Sequence, residues 1–241
     1  MPPRFSVVIP AYNEERLLGR LLDSLAIART AHGPADAIEV IVADNVSTDR
    51  TAEIAASRGC RVVSVEKRVI GAVRNGGARV ARGEFLAFVD ADTQIHPRTF
   101  IEIDKALATG RIVGGATGAM LERRSLGIAL VYLTLVPIAL FTGMDTGVVF
   151  VRRQDFEEIG GYDETRLVAE DIAFLLALKR LGKSRGQRLK RVTSAKVIVS
   201  TRKFDEFGDW HYFSLLGEGL RHLMRREPTA FTDKYWYKPK R

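Results

Sequence analysis

The sequence predicts an α/β fold with a mostly parallel central sheet flanked by helices. Two observations predict it. Short β-branched apolar runs alternate with helical stretches through the first half. The run Phe85–Val89 is apolar at every position, as a strand buried on both faces must be. The 241 residues suffice for one large domain, and no Ser/Gly/Pro-rich linker divides them. The chain therefore reads as a single domain over 1–241, with halves at 1–115 and 116–203 and a helical tail over 204–241.

Taken in order, Phe5–Ile9 is the first strand, ended by Pro10, whose missing N–H cannot serve a ladder. Asn13 caps a helix to about Ala28, because Leu17, Leu18, Leu21, Leu22 and Leu25 recur at three- and four-residue spacing and share one face. Glu39–Ala43 is the second strand, Ser47-Thr48-Asp49 opens a helix to about Ser57, and Arg61–Val65 is the third strand. Gly71–Arg82 reads as a glycine-flanked loop and helix, and the fourth strand ends at Asp90. The second half holds a strand starting at Gly114-Gly115, an apolar segment, a strand at Val148–Val151 and a helix from Glu170 to about Arg180. An aromatic-rich tail follows from Phe204, helical from Trp210 to Arg225.

Open parallel sheets bind ligands beyond the carboxyl ends of their strands. Tyr12 and Asn13, Asp44 and Asn45, and Asp90 and Asp92 follow strands one, two and four and are expected to converge on one crevice. Asp90 and Asp92 flank Ala91 in F-V-D-A-D-T, and two carboxylates so spaced offer hard oxygens to Mg²⁺ or Mn²⁺. An ordinary turn or cap gives the same pattern, and its position directly after a buried strand is what favours a metal. Gly71, Gly76 and Gly77 allow close backbone approach, while Arg74 offers a fork of donors for phosphate. Glu170 and Asp171 open a helical pattern, where a carboxylate serves as general base or simply complements the helix dipole.

Charge adds a second theme. The net charge is +8, and from Ile172 to Phe204 there are ten Lys/Arg and no acidic residue. Such a run suits a nucleic acid, an anionic membrane or a phosphorylated substrate, and equally a solvated face. Leu126–Met144 is uncharged over nineteen residues, long enough to cross a bilayer. A single span there would separate Asp90 and Asp92 from Glu170 and Asp171, so a buried or interfacial helix is expected. The one cysteine, Cys60, excludes an internal disulfide and a Cys-based zinc site, and the sequence start lacks a signal-peptide layout. The expected location is cytoplasmic, peripheral at the inner face of the membrane.

The segments V-V-I-P-A-Y-N-E-E, V-A-D-N-V-S-T-D-R-T, G-A-V-R-N-G-G, F-V-D-A-D-T, G-G-Y-D-E and E-D-I-A-F occur in the order and approximate spacing of the family 2 glycosyltransferases. The chain resembles them over roughly residues 5 to 180. That resemblance implies a GT-A fold, with 1–115 the nucleotide-binding half and 116–203 the acceptor and catalytic half. It implies a nucleotide-sugar donor, an inverting transfer and a divalent cofactor, Mn²⁺ or Mg²⁺. Carried over, Pro10, Ala11, Tyr12 and Glu14 line the nucleotide pocket, Asp44 meets the base and Arg74 lies near the phosphates. Asp90 and Asp92, with Ala91 between them, form the metal motif, and Asp171 is the general base with Glu170 beside it. Ser200-Thr201-Arg202-Lys203-Phe204 resembles an S-x-R-(R/K) element of small bacterial members, which would bring Arg202 to the diphosphate.

The departures are informative. The family's D-D-G-S-T-D form reads A-D-N-V-S-T-D here, which loosens the base-recognition assignment. No Q-x-x-R-W follows the E-D pair; G-D-W-H-Y-F stands in that region, which argues against a processive polysaccharide synthase. His211 is a candidate third metal ligand. An apolar interfacial segment with a basic run suits a lipid-linked acceptor and peripheral contact with an anionic membrane. A nucleotidyltransferase would carry an N-terminal glycine-rich signature, a dehydrogenase G-x-G-x-x-G, and neither follows strand one. A nucleic-acid-binding module fits the charge but leaves the ordered acidic pairs unexplained, so no nucleic acid is expected as partner.

Overall fold

The computed structural model describes residues 2–123, 125, 130, 147–167 and 169–208. The apolar segment Leu126–Met144 (Leu130 apart), the tail helix from Trp210 to Arg225 and His211 lie outside the described residues. Where the sequence reads as one domain, the chain divides into two compact units, residues 1–120 with 143–199, and residues 121–142 with 200–241.

The first unit is built on a sheet of β1 (Phe5–Ala11), β2 (Ile38–Asp44), β3 (Arg61–Ser64), β4 (Phe85–Phe88), β5 (Thr93–Gln94), β6 (Ile112–Leu121), β7 (Val149–Arg152) and β8 (Arg188–Val199), in the order β3-β2-β1-β4-β7-β6-β8-β5. β1 pairs in parallel with β2 and β4, and β2 with β3, so their carboxyl ends share one edge. β7 then runs antiparallel to β4 and β6, and β5 antiparallel to β8. The helices are α1 (Leu18–His32), α2 (Thr51–Ser57), α3 (Ile70–Arg79), α4 (Thr99–Ala108), α5 (Arg153–Glu158) and α6 (Glu170–Ser184).

The pleat of the strands sorts their side chains into two cores. Phe5, Val7 and Ile9 of β1, Phe85 and Ala87 of β4 and Phe150 of β7 pack with α1 through Leu18, Leu21, Leu22 and Leu25, and with α4 through Phe100, Ile103 and Leu107. The alternate residues Val8, Leu86, Phe88, Val149 and Val151 pack with Ala78 of α3, Phe156 of α5, Tyr162, and Phe174, Leu175 and Leu178 of α6. β4 therefore has no solvent face, as its unbroken apolar run requires.

Several expectations are corrected. β1 continues through Pro10, whose partner is Ala43 of β2. Pairing with β4 ends at Val8, so the ring replaces an N–H on the side where the ladder has already stopped. Asn13 does not cap α1, which starts at Leu18. Its backbone is left-handed at φ 53°, and its Oδ1 accepts from the Thr48 N–H at 2.8 Å. The carbonyl of Glu14 receives the first helical N–H groups instead, from Leu17 and Leu18.

Gly71, Gly76 and Gly77 lie inside α3 rather than in a phosphate-facing loop. A Cβ at Gly76 would sit 2.4 Å from Val65 Cγ2, and one at Gly77 2.5 Å from Val8 Cγ1. These glycines let α3 press against the sheet, which is the close approach their sequence signals. The basic stretch contributes β8, in which Val192, Ala195 and Val197 are buried while Lys190 and Lys196 face outward. The second unit holds α7 (Arg202–Phe207), and Arg123 bonds Asp205 within it. No helix among the described residues is long and apolar enough to cross a membrane.

Candidate active site

The carboxyl ends of β1, β2 and β4 are neighbours, and the loops leaving β1 and β2 are tied together. The Asn45 N–H donates to the Ala11 carbonyl at 2.8 Å, the Asn13 N–H to Ser47 Oγ at 3.0 Å, and the Glu14 N–H to Thr51 Oγ1 at 2.7 Å. The Asn45 side chain donates to the carbonyls of Val65 and Lys67, adding the loop after β3. Pro10, Ala11, Glu14 and Asp44 are buried along this rim, and Tyr12 is half-buried under the Arg68 guanidinium, 5.5 Å from its ring centre.

Asp44 ends β2. Its Oδ2 accepts from the Ser47 N–H at 3.1 Å, while its Oδ1 is buried with no hydrogen-bond partner among the described residues. A buried acceptor without a donor costs free energy of about 1–3 kcal/mol. A ligand N–H or hydroxyl arriving here would recover it.

Arg74 gathers the acidic residues. It projects from α3 with 5% of its side chain exposed. Nη1 donates to Asp171 Oδ1 at 2.6 Å and to Glu170 Oε1 at 3.0 Å, and Nη2 donates to Asp90 Oδ1 at 2.9 Å. Asp90 and Asp92 belong to the turn after β4, whereas Glu170 and Asp171 form the first turn of α6, following Ala169 in a left-handed conformation at φ 58°. Three carboxylates around one guanidinium leave two negative charges in the cluster.

The pKa shifts follow from this crowding. Burial pushes the Asp171 carboxyl up, Arg74 pulls it down, and the charge on Asp90 adds to the rise, which prevails. Burial also raises Glu170 against Arg74, with Asp171 adding to the rise. Burial opposes the charge on Arg74, but Asp171 and Asp90 outweigh it and hold the guanidinium charged. Burial raises the Tyr162 phenol too, and neighbouring Asp171 reinforces it.

Arg74 lies over the Tyr162 ring at 5.1 Å, and that ring stacks on Phe174 of α6 at 4.3 Å between centres. Tyr162 is held by Asn75, which has no role assigned by the motifs. Asn75 Oδ1 accepts from the Tyr162 N–H at 2.9 Å, and Nδ2 donates to the Tyr162 carbonyl at 2.9 Å and to Glu164 Oε1 at 3.0 Å. Lys67 and Arg79 also pair with Glu164. The signal was present as R-N in one segment and G-G-Y-D-E in another, but 87 residues separate the bonded pair.

The structure thus brings Arg74, Asp90, Glu170 and Asp171 into contact and sets Pro10, Ala11, Tyr12, Glu14 and Asp44 along the neighbouring strand ends. Arg202 begins α7 in the second unit, and its assignment rests on the S-x-R-(R/K) resemblance. A divalent ion fits the donor set of the turn after β4. Asp90 and Asp92 offer only hard carboxylate oxygens, the Asp90 side chain is 50% exposed, and Ala91 between them is buried. No group of three or more His, Cys, Asp or Glu able to hold a metal occurs among the described residues. Mg²⁺ and Mn²⁺ commonly take one or two carboxylates and complete their shell with substrate phosphates.

Comparison with known proteins bears on the family and the fold. Residues 6–122 match the model of glycosyl transferase family 2. Validoxylamine A glucosyltransferase of Streptomyces hygroscopicus subsp. limoneus is 41% identical over 102 residues, 40% of this chain and 22% of that protein. The poly(ribitol-phosphate) beta-N-acetylglucosaminyltransferase TarS of Staphylococcus aureus is 36% identical over 102 residues, 40% of this chain and 17% of TarS. The chain thus matches less than a quarter of the length of either relative.

The crystal structure of S. aureus TarS 1-349 superposes with TM-score 0.65 at 21% identity, covering 82% of this chain and 60% of that one. The mannosyltransferase PcManGT from Pyrobaculum calidifontis, in complex with GDP-Man and Mn²⁺, superposes with TM-score 0.64 at 23% identity, covering 82% of this chain and 57% of that one. These likenesses fix the fold as GT-A. With the motifs in order, residues 6–122 are similar to glycosyl transferase family 2.

Proposed function

We propose that this protein transfers a sugar, with inversion, from a nucleoside-diphosphate donor to an acceptor hydroxyl. The observation that carries this reading is the Arg74 cluster: one buried guanidinium bonded both to Asp90, beside the donor-binding strand ends, and to Asp171 on α6.

On this reading Pro10, Ala11, Tyr12 and Glu14 line the nucleotide pocket, and the unpartnered Oδ1 of Asp44 accepts from the base. Asp90 and Asp92 hold a divalent ion, which when bound neutralises charge on the diphosphate leaving group. Asp171 takes the proton from the acceptor hydroxyl as that oxygen attacks the anomeric carbon. A general base acts within hydrogen-bond reach of its proton. Inversion needs the base on the face opposite the departing nucleotide, and it comes from a different segment of chain than the metal aspartates. Burial raises the Asp171 carboxyl above the ordinary aspartate range, which makes it a stronger base once ionised. Glu170 shares the guanidinium and keeps the local charge negative.

For the acceptor, we favour an anionic or lipid-linked molecule met at a membrane surface. The exposed face of α6 supports this, since it carries exposed Ile172 and Leu176 on the same helix as exposed Lys179, Arg180 and Lys183. Flotation with anionic liposomes tests it; protein that stays wholly in the soluble fraction counts against it.

The deciding experiment is a thermal-shift screen of UDP, GDP and their sugars with Mn²⁺ or EDTA, followed by a transfer assay with the nucleotide that binds. A ligand that binds only the folded state raises Tm. A shift with oligonucleotides and none with any nucleoside diphosphate overturns the proposal.

A further inference from the structure

The three bonds of Asn75 have no counterpart in the chemistry assigned so far. Asn75 is 7% exposed, and its side chain spans both backbone polar groups of Tyr162 and the Glu164 carboxylate. The turn it grips is shaped to receive it. Gly161 has φ 72°, and a Cβ there would stand 2.7 Å from Asn75 Oδ1.

Tyr162 is not a bystander to the acidic cluster. Its ring carries the Arg74 guanidinium on one side and meets Phe174 of α6 nearly parallel, with 13° between the planes. Phe174 lies three residues beyond Asp171 on the same helix. The ring is thus wedged between the cation that binds the base and the helix that carries it.

Resting on the glycosyltransferase reading, we propose that Asn75 is a positioning residue for the transfer. By clamping Tyr162 it sets the spacing between Arg74 on α3 and Asp171 on α6, and so the aim of the general base. Adjacent residues of one helix turn then do different jobs. Arg74 binds the carboxylates, and Asn75 fixes the surface on which Arg74 rests.

The clamp needs an acceptor and donors at once, as a primary amide supplies them. Asn75→Asp loses both Nδ2 donations and sets a second carboxylate against Glu164. Glu164→Gln on that background returns one donor, now from the other side. Asn75→Ala removes the clamp altogether.

The test uses the full chain. In sugar transfer, Asn75→Ala and Asn75→Asp should lower kcat by about 10- to 100-fold with donor KM within about 2-fold, since a 1 Å misplacement of a catalytic group costs up to about 100-fold. Asn75→Asp with Glu164→Gln should recover about tenfold of the loss, as expected when a charge-paired donor is restored to a buried acceptor. Loss confined to KM, or a double variant no better than Asn75→Asp, overturns the proposal. A second measurement is independent of activity. With 3-fluorotyrosine incorporated and the Tyr162 line assigned by Tyr162→Phe, the ¹⁹F spectrum should give one sharp line in the wild type and a broadened or split one in Asn75→Ala. An unchanged sharp line overturns the clamp even if the wild type transfers no sugar, the outcome in which the glycosyltransferase reading itself fails.

Discussion

The Arg74 guanidinium meets Asp171 at 2.6 Å, so the residue proposed as general base is held by a cation 97 residues earlier in the chain. The same cation, with 5% of its side chain exposed, also holds Asp90 and Glu170 and so links the two acidic segments. Breaking a buried charge pair by removing one partner costs about 3–5 kcal/mol. Asp90 is half exposed, so a loss around or below the lower end of that range is expected. Arg74→Ala should lower stability by roughly 2–4 kcal/mol in denaturant titration, and Arg74→Lys should stay clearly below wild type, because an ammonium lacks the planar fork that reaches three carboxylates.

Asp171→Asn should keep nucleotide affinity and lower kcat by about 10²–10⁴-fold, the usual weight of a general base. The base acts ionised, and burial raises its pKa, so the acid limb of kcat/KM should lie above the ordinary aspartate range. For folding the sign is opposite. A carboxyl whose folded pKa is raised contributes stability below its unfolded pKa and loses it as pH rises through the folded value. Wild type without donor should therefore lose stability relative to Asp171→Asn as pH climbs from acid toward neutral. An Asp171→Asn enzyme with most of its turnover intact removes the base assignment.

Asp92→Asn should weaken nucleotide binding in Mn²⁺ and leave the weaker binding in EDTA unchanged. Calorimetric titration with the nucleoside diphosphate reads both. Equal losses in the two buffers would mean that Asp92 supports the turn rather than the ion.

Glu164 is held below its ordinary pKa, first by the hydrogen bond from Asn75 and then by Lys67. A depressed carboxylate contributes stability above its unfolded pKa and loses it as pH falls through the folded one. Glu164→Gln should therefore flatten the acid limb of the stability curve below the ordinary glutamate range, at a cost near neutrality of about 1 kcal/mol. Urea midpoints between pH 3 and pH 7 measure the difference.

Gly77→Ala inverts the usual helix rule. Alanine is normally better than glycine in a helix by about 1 kcal/mol. Here the added carbon would stand 2.5 Å from Val8 Cγ1 and 3.3 Å from Ala43 Cβ, both in the sheet. Overpacking of a dense core costs about 1–3 kcal/mol, so Gly77→Ala should lower Tm while Gly19→Ala, with nothing within 4 Å, should not.

β4 was legible because a parallel strand with two buried faces must be apolar throughout, and Phe85–Phe88 has no polar position. The helix Thr99–Ala108 is absent from the sequence reading because Glu102, Asp104 and Lys105 break up the apolar period of Phe100, Ile103, Ala106 and Leu107. β8 was hidden for a different reason. Its inward residues are spaced through Lys and Arg, and a strand with one wet face written in cations reads as a charge run. In the site, the strand-end residues followed from topology. The Arg74 cluster did not, because ion pairs between residues 96 and 97 apart leave no local pattern.

Ala169 turns left-handed at φ 58° immediately before Glu170 and Asp171. Any side chain there carries a penalty of about 1–2 kcal/mol that glycine would avoid. Glycine would also let the peptide swivel. An alanine in that seat makes the joint stiff, so α6 begins at one angle and the two carboxylates are aimed before any ligand arrives, with the cost of aiming them borne when the chain folds.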